Sequence, residues 1–218
     1  MGSTSERDWF DWHRPYDEPG SPLAVRLGLV QGRLRHALDT AASGEIRVAS
    51  LCAGQGRDVI GVLAEHPRRE HVRARLVERD PRNTAVARQL AAAAGLGGHR
   101  GNVEVVTGDA SVSDAYLGIA PADVVLACGI FGNVPETDIE RTIGLLPMLC
   151  TTGATVIWTR HRREPDLTGT VRGWFAATGF EEVGFDAPGE HPFVGVGAHR
   201  WPGAPGVVRP GVGFFRFV

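Results

Sequence analysis

From residue 46 to residue 178 the chain alternates between short apolar runs and longer helical stretches, and this alternation restricts its fold more than any other feature. Residues 46–52 read as a buried strand, and a glycine-containing turn leads into a helix over about 58–65. Further strands are expected at 72–78, 103–107, 124–128 and 154–159. Helices are expected over 81–94, 136–150 and 167–178. Strands separated by helices of this length imply right-handed βαβ units and a parallel sheet. The ending differs. Residues 180–185, 193–199 and 213–218 are strand-like, are separated by Pro and Gly, and have no helix between them. The expected fold is therefore α/β, a Rossmann-like seven-stranded and mainly parallel sheet with an antiparallel C-terminal strand and helices on both faces.

Ahead of the alternating part, residues 1–42 read as an N-terminal helical extension or lid on a core of residues 43–218, all in one domain. Ser21 is placed to cap a helix with Pro22 at its first position. Leu23, Leu27, Val30, Leu34 and Leu38 then recur at spacings of three and four, which gives one apolar helical face. The start of the chain has no apolar core of the signal-peptide kind, and Glu6 stands where a myristoylation motif needs Ser or Thr. No apolar stretch approaches the ~20 residues that span a bilayer. The three cysteines, Cys52, Cys128 and Cys150, are widely spaced in apolar runs, which fits reduced thiols in a cytoplasm. All 23 basic residues are Arg, so Schiff-base chemistry and a P-loop lysine are excluded. The formal net charge of −2 gives no general attraction to nucleic acid or to acidic membranes. HxH, HExxH and CxxC spacings are absent, so no metal site is expected.

In such sheets ligands bind beyond the carboxyl ends of the strands, so the residues that follow each strand matter most. After the first strand, Gly54 and Gly56 allow a tight turn and a close ligand approach, although an ordinary βα turn needs no more than this. After the second, Glu78 lies 22 residues beyond Gly56, a spacing suited to a carboxylate that accepts ribose hydroxyls. Asp80 ahead of Pro81 reads as a helix cap. After the third, Asp109 suits either an adenine amino group or the capping of a turn. After the fourth, the apolar and Gly-rich run from Cys128 to Pro135 suits a pocket floor or a plain loop.

These four strand ends, with VASLCAGQGRD, LVERDP, VVTGDA and VVLACGIFGNVP, resemble the class I S-adenosylmethionine-dependent methyltransferases over about 46–160. The resemblance implies that Ala53, Gly54, Gln55 and Gly56 wrap the methionine part of S-adenosyl-L-methionine. It implies that Glu78 holds the ribose, that Arg79, Asp109 and Ala110 lie at the adenine, and that Cys128 lies near the cofactor where the substrate side begins. Tyr16 is expected to reach the cofactor from the N-terminal segment. Two positions depart from the family: Ser50 stands where an acid is common and Cys52 where a glycine is common. The alternatives are an NAD-dependent Rossmann oxidoreductase and a non-catalytic S-adenosylmethionine-binding domain. The first would need Gly or Ala where Val59 stands, because that position packs helix against strand beneath a pyrophosphate.

The expected reaction is O- or N-methylation of a small molecule. The Cys128-Gly129-Ile130-Phe131 run is unlike the Asn/Asp-Pro-Pro-aromatic motif of DNA amino-methylases, and no nucleic-acid or membrane partner is expected. Trp9, Trp12, His13 and Tyr16 either fold over the pocket as a water-excluding lid or pack the first helix onto the sheet. His161 and His13 are the candidate general bases, needed where the acceptor keeps its proton at neutral pH. Phe131, Asn133 and Arg160 are the candidate substrate contacts, Arg160 as a partner for a carboxylate or phosphate.

Overall fold

A computed structural model describes residues 8–98 and 101–217. The expectations that fall on Glu6 and on Val218 lie outside the described residues. Seven strands form one sheet: β1 (Ile46–Leu51), β2 (Val72–Glu78), β3 (Val103–Thr107), β4 (Ala122–Ala127), β5 (Cys150–His161), β6 (Glu181–Asp186) and β7 (Val194–Arg200). Their order is β3-β2-β1-β4-β5-β7-β6. β1 through β5 are parallel, and β7 runs antiparallel between β5 and β6. The strand order reverses at β1, so the carboxyl ends of β1 and β4 flank the crevice where ligands of such sheets bind.

The strands sort their side chains by the two-residue period of extended chain. Ile46 and Val48 of β1, with Ala74 and Leu76 of β2, face one layer of helices. Ala49 and Leu51, with Val77, face the other. The first layer is α1 (Pro22–Thr40), α2 (Arg57–Leu63) and α3 (Pro81–Ala93), which bring Val30, Leu34, Val59, Leu63 and Ala87 to the sheet. The second is α4 (Glu136–Leu145) and α5 (Thr168–Thr178), which bring Ile139, Ile143, Val171 and Phe175. Burial on both faces is why β1 reads as an almost unbroken apolar run. Among the described residues no helix is long and apolar enough to cross a membrane.

The helix starts follow capping chemistry. The Ser21 hydroxyl accepts from the Ala24 amide at 3.1 Å ahead of Pro22, and Asp80 accepts from the Arg82 amide at 2.8 Å ahead of Pro81. The end of α1 is held from outside: the Arg68 guanidinium donates to the carbonyls of Leu38, Ala41 and Ala42 at 2.6–2.7 Å. These are carbonyls that a helix terminus leaves without partners, and a cation there also meets the negative end of the helix dipole. Arg68→Ala is expected to destabilise the protein by about 1–2 kcal/mol in urea unfolding.

The run at 213–218 departs from expectation. Its described part forms no strand, only an isolated bridge from Gly213 to Val112. Its backbone partners are not a neighbouring strand. The Phe214 amide donates to the Ser111 carbonyl at 2.8 Å, and the Phe214 carbonyl accepts from Thr142 and Arg141 of α4 at 3.0 and 3.1 Å. With Phe214 and Phe215 buried, the tail is pinned as a strap beside the loop after β3. The helix expected over 136–150 is also divided, because Pro147 closes α4 and a short 3-10 turn (Leu146–Leu149) carries the chain to β5.

Candidate functional site

Glu78, at the end of β2, is the hinge of the site. It is buried, and its two carboxylate oxygens accept from two loops: Oε2 from the Gly54 amide at 2.9 Å and Oε1 from the Asp80 amide at 2.8 Å. Its own carbonyl accepts from the Gly108 amide at 2.9 Å. One residue therefore ties together the turns after β1, β2 and β3. Each carboxylate oxygen keeps acceptor capacity for a ligand hydroxyl.

The turn after β1 needs unusual backbone. Cys52 and Gly54 have φ of +49° and +55°, and Gly56 adopts φ +67° just before α2. Glycine reaches this region freely and cysteine does so at a cost. A Cβ at Gly54 would run into the His13 imidazole, so the glycine is what lets the N-terminal segment close onto the loop.

These turns border a cavity of about 690 Å³, a size usual for a small ligand. Its floor holds Cys52, Ala53, Gly54, Glu78, Arg79, Asp109, Ala110, Cys128 and Gly129. Its roof is the N-terminal segment, with Trp9, Trp12, His13 and Tyr16, and the tail residues Phe215–Phe217 close one side. A 3-10 helix (Asp11–Asp17) carries the roof, and its rings pack on one another edge-on: Trp12 lies 6.0 Å from Trp9, 5.5 Å from His13 and 6.1 Å from Tyr16. Trp9 also meets Phe217 at 5.7 Å. Ion pairs pin both ends of the roof, Asp17 to Arg57 at 2.5 Å and Asp8 to Arg82 at 2.9 Å.

Of the expected cofactor residues, Tyr16, Ala53, Gly54, Glu78, Arg79, Asp109, Ala110 and Cys128 are brought together on this cavity, and so is His13. Gln55 and Gly56 lie behind it: Gln55 is buried beneath the turn, and Gly56 is pressed against Leu76 and Ile60. His161, Phe131, Asn133 and Arg160 stand together around the loop after β4, outside the cavity wall. Phe131 is fully buried against Trp158 and Phe175, at 6.0 and 6.5 Å. The Arg160 guanidinium donates to the Phe131 carbonyl, Asn133 to the Gly129 carbonyl at 2.8 Å, and His161 lies against Gly132.

The electrostatics separate the two histidines. The Nδ1 atom of His13 lies 2.7 Å from the Trp9 carbonyl, which can only accept, so Nδ1 carries the proton and Nε2 the lone pair. Burial pushes its pKa below the ordinary value, and Arg57 and Arg26 push the same way against the Trp9 carbonyl and Asp80. His13 is therefore a neutral acceptor at pH 7, with Nε2 against Gly54. His161 is also lowered, by partial burial and then by Arg160 and Arg163, but it is exposed. At Asp109 burial pushes the pKa up, but the Ser111 hydroxyl and amide and Arg79 outweigh it and hold the group as a carboxylate.

Arg26, Asp58 and Asn83 are among the wall residues that escaped the sequence reading. Arg26 sits within the apolar face of α1, its guanidinium 5.2 Å from the Trp12 ring centroid and donating to the Tyr16 hydroxyl. A charge inside an apolar helical stripe was the available signal. Asp58 lies at the start of α2, accepts from the Val59 amide at 2.8 Å, and has its pKa raised by burial. It brings a carboxyl group to the cavity wall. Asn83, in the first turn of α3, is fully buried on the wall, and nothing in the sequence distinguishes it.

No protein-family model and no curated sequence matches the chain. Solved structures do. Magnesium protoporphyrin IX methyltransferase from Synechocystis PCC 6803, with bound S-adenosylmethionine, is similar at 16% identity and TM-score 0.66, over 88% of this chain and 90% of that one. An O-methyltransferase family protein from Burkholderia thailandensis is similar at 17% and 0.59, over 88% and 62%. Aeropyrum pernix fibrillarin, in complex with natively bound S-adenosyl-L-methionine, is similar at 14% and 0.56, over 77% and 74%. With the strand order and the antiparallel β7, this likeness establishes that the chain has the fold of the class I S-adenosylmethionine-dependent methyltransferases.

Proposed function

We propose that the protein transfers a methyl group from S-adenosylmethionine to a small-molecule acceptor. The observation that carries this reading is Glu78. It is a buried carboxylate that organises three strand-end turns around one cavity and keeps lone pairs for a diol. The cavity fits the cofactor chemically. Glu78 would accept from the ribose, and Asp109, Ala110 and Arg79 would border the adenine. Ala53, Gly54 and Cys128, with Tyr16, Arg26 and Asp58 of the same cavity, would hold the methionine end. The bound cofactor supplies a methyl group made electrophilic by its sulfonium.

The chain then has to align the acceptor and keep water out. The aromatic roof does both, and its two ion pairs hold it closed. His13 takes the acceptor's proton at Nε2, while the Trp9 carbonyl fixes the tautomer that leaves this atom free. His13 is favoured over His161 because it stands on the cavity. The loop bearing Phe131 and Asn133, with Arg160 and His161 at the end of β5 beside it, borders the acceptor side beyond Cys128 and Gly129. A roofed cavity of this size suits a small acceptor rather than a polymer. Three unpaired cysteines support a reducing, cytoplasmic setting.

Calorimetric titration with S-adenosylmethionine, S-adenosylhomocysteine and NAD tests the reading. Micromolar binding of the first two without NAD is expected, and binding of NAD alone would sink it. Glu78→Ala is expected to weaken S-adenosylhomocysteine by about 1–2 kcal/mol, roughly tenfold, in a protein that still folds.

A further inference from the structure

The β4–β5 ladder ends with Ala127 opposite Trp158, and the next rung is built from a side chain. The Gly129 amide donates to the Thr159 hydroxyl at 2.8 Å. Gly129 has φ +76° and lies on the cavity wall next to Cys128. Thr159, on β5, is 1% exposed and lies off the cavity lining. A branched residue suits a buried strand, and Val would fill the same space. What Thr adds is a single oxygen, and that oxygen serves Gly129.

Successive side chains of a strand point to opposite faces of its sheet. Thr159 therefore holds the loop after β4 on one face, and Arg160, which donates to the Phe131 carbonyl, holds it on the other. Asn133 donates to the Gly129 carbonyl at 2.8 Å. The Cys128–Gly129 peptide is trans and planar, so an N–H committed to Thr159 also fixes the Cys128 carbonyl, which points away from Thr159.

We infer that Thr159 is a positioning residue for the methionine end of the cofactor: its bond to the Gly129 amide sets the Cys128–Gly129 peptide against which that end lies. Thr159 touches no ligand and acts only through this peptide. The inference rests on the reading of this cavity as an S-adenosylmethionine site with its methionine end at Cys128. Losing the bond frees the peptide to rotate, and glycine's wide choice of backbone angles makes the rotation easy. The adenosine end, bordered by the turns after β2 and β3, does not depend on this peptide.

The test is calorimetric titration of the full chain with S-adenosylhomocysteine and with 5′-methylthioadenosine, which keeps the adenosine and the sulfur but lacks the amino-acid tail. Thr159→Val is expected to weaken S-adenosylhomocysteine about three- to tenfold, the worth of one hydrogen bond, and to leave 5′-methylthioadenosine unchanged. Thr159→Ser keeps the hydroxyl and loses a buried methyl, so it should melt lower than the parent yet bind S-adenosylhomocysteine as the parent does. A role confined to stability would shift melting in both variants and move neither ligand's affinity at a temperature well below unfolding. That result would overturn the inference, and so would equal weakening of the two ligands by Thr159→Val, which would mean that the whole sheet end has loosened. Failure of the parent protein to bind either ligand would instead remove the cofactor reading itself, and the positioning role with it.

Discussion

His13→Gln is expected to slow methyl transfer by about 10²–10⁴-fold, the usual worth of a positioned general base, while S-adenosylhomocysteine affinity changes little. The assay uses the first acceptor that the unsubstituted protein turns over. The expectation follows from three properties of one ring. It hangs from the roof directly over Gly54, its Nδ1 proton is committed to the Trp9 carbonyl, and burial keeps it neutral. Glutamine can fill similar space but cannot take up a proton near neutral pH. The pH profile gives a second readout. With burial holding the His13 pKa below that of an ordinary imidazole, the acidic fall in rate should lie at lower pH than an unperturbed histidine would give. The variant should lose that acidic limb. An unchanged rate and an unchanged limb would reduce His13 to a packing residue, and His161 would then be the ring to replace.

The difference between the two histidines also shows what a linear reading can and cannot reach. The placing of Gly54, Glu78 and Asp109 on the cavity was legible because each sits at a fixed offset from a strand, and a strand's carboxyl end is a place that the fold defines. The succession of strands and helices along the chain, and with it a mainly parallel sheet, followed from the same alternation; the order of strands within the sheet did not. Residues that reach the cavity from elsewhere carry no such offset. Arg26 lies on a helix that touches the site only because α1 packs across α2, and Phe215–Phe217 arrive on a strap that imitates a strand in its pattern. Apolar alternation reports that a segment is half-buried. It does not report whether its backbone meets another strand or, as at Phe214, the side chains of α4.

Acidification is expected to cost the protein about 2–3 kcal/mol of stability through one residue remote from the cavity. His199, on β7, is 1% exposed and stacked on Phe175 at 4.2 Å, and Nδ1 accepts from the Trp158 indole at 3.1 Å. Its Nε2 faces Glu182 at 3.7 Å, and Arg172 holds that carboxylate as well. Burial dominates and pushes the His199 pKa down to about 4, although Glu182 pulls the other way. A proton on Nδ1 would also break the bond from Trp158, since two donors would then face each other. The sign follows from the depressed value. Between pH 6.5 and 4 the unfolded chain binds a proton that the folded ring refuses, so stability is full above 6.5 and is lost as pH falls toward 4. Urea unfolding at pH 7.5 and at pH 4.5 measures the loss. His199→Gln keeps an acceptor for Trp158 but cannot titrate, so its stability should fall less by about 2 kcal/mol over the same interval. Contributions from His13, His161 and the carboxylates are common to both proteins and cancel in that difference. Equal losses in the two would mean that water reaches the ring and that the aromatic stack around Trp158 opens well before the protein unfolds.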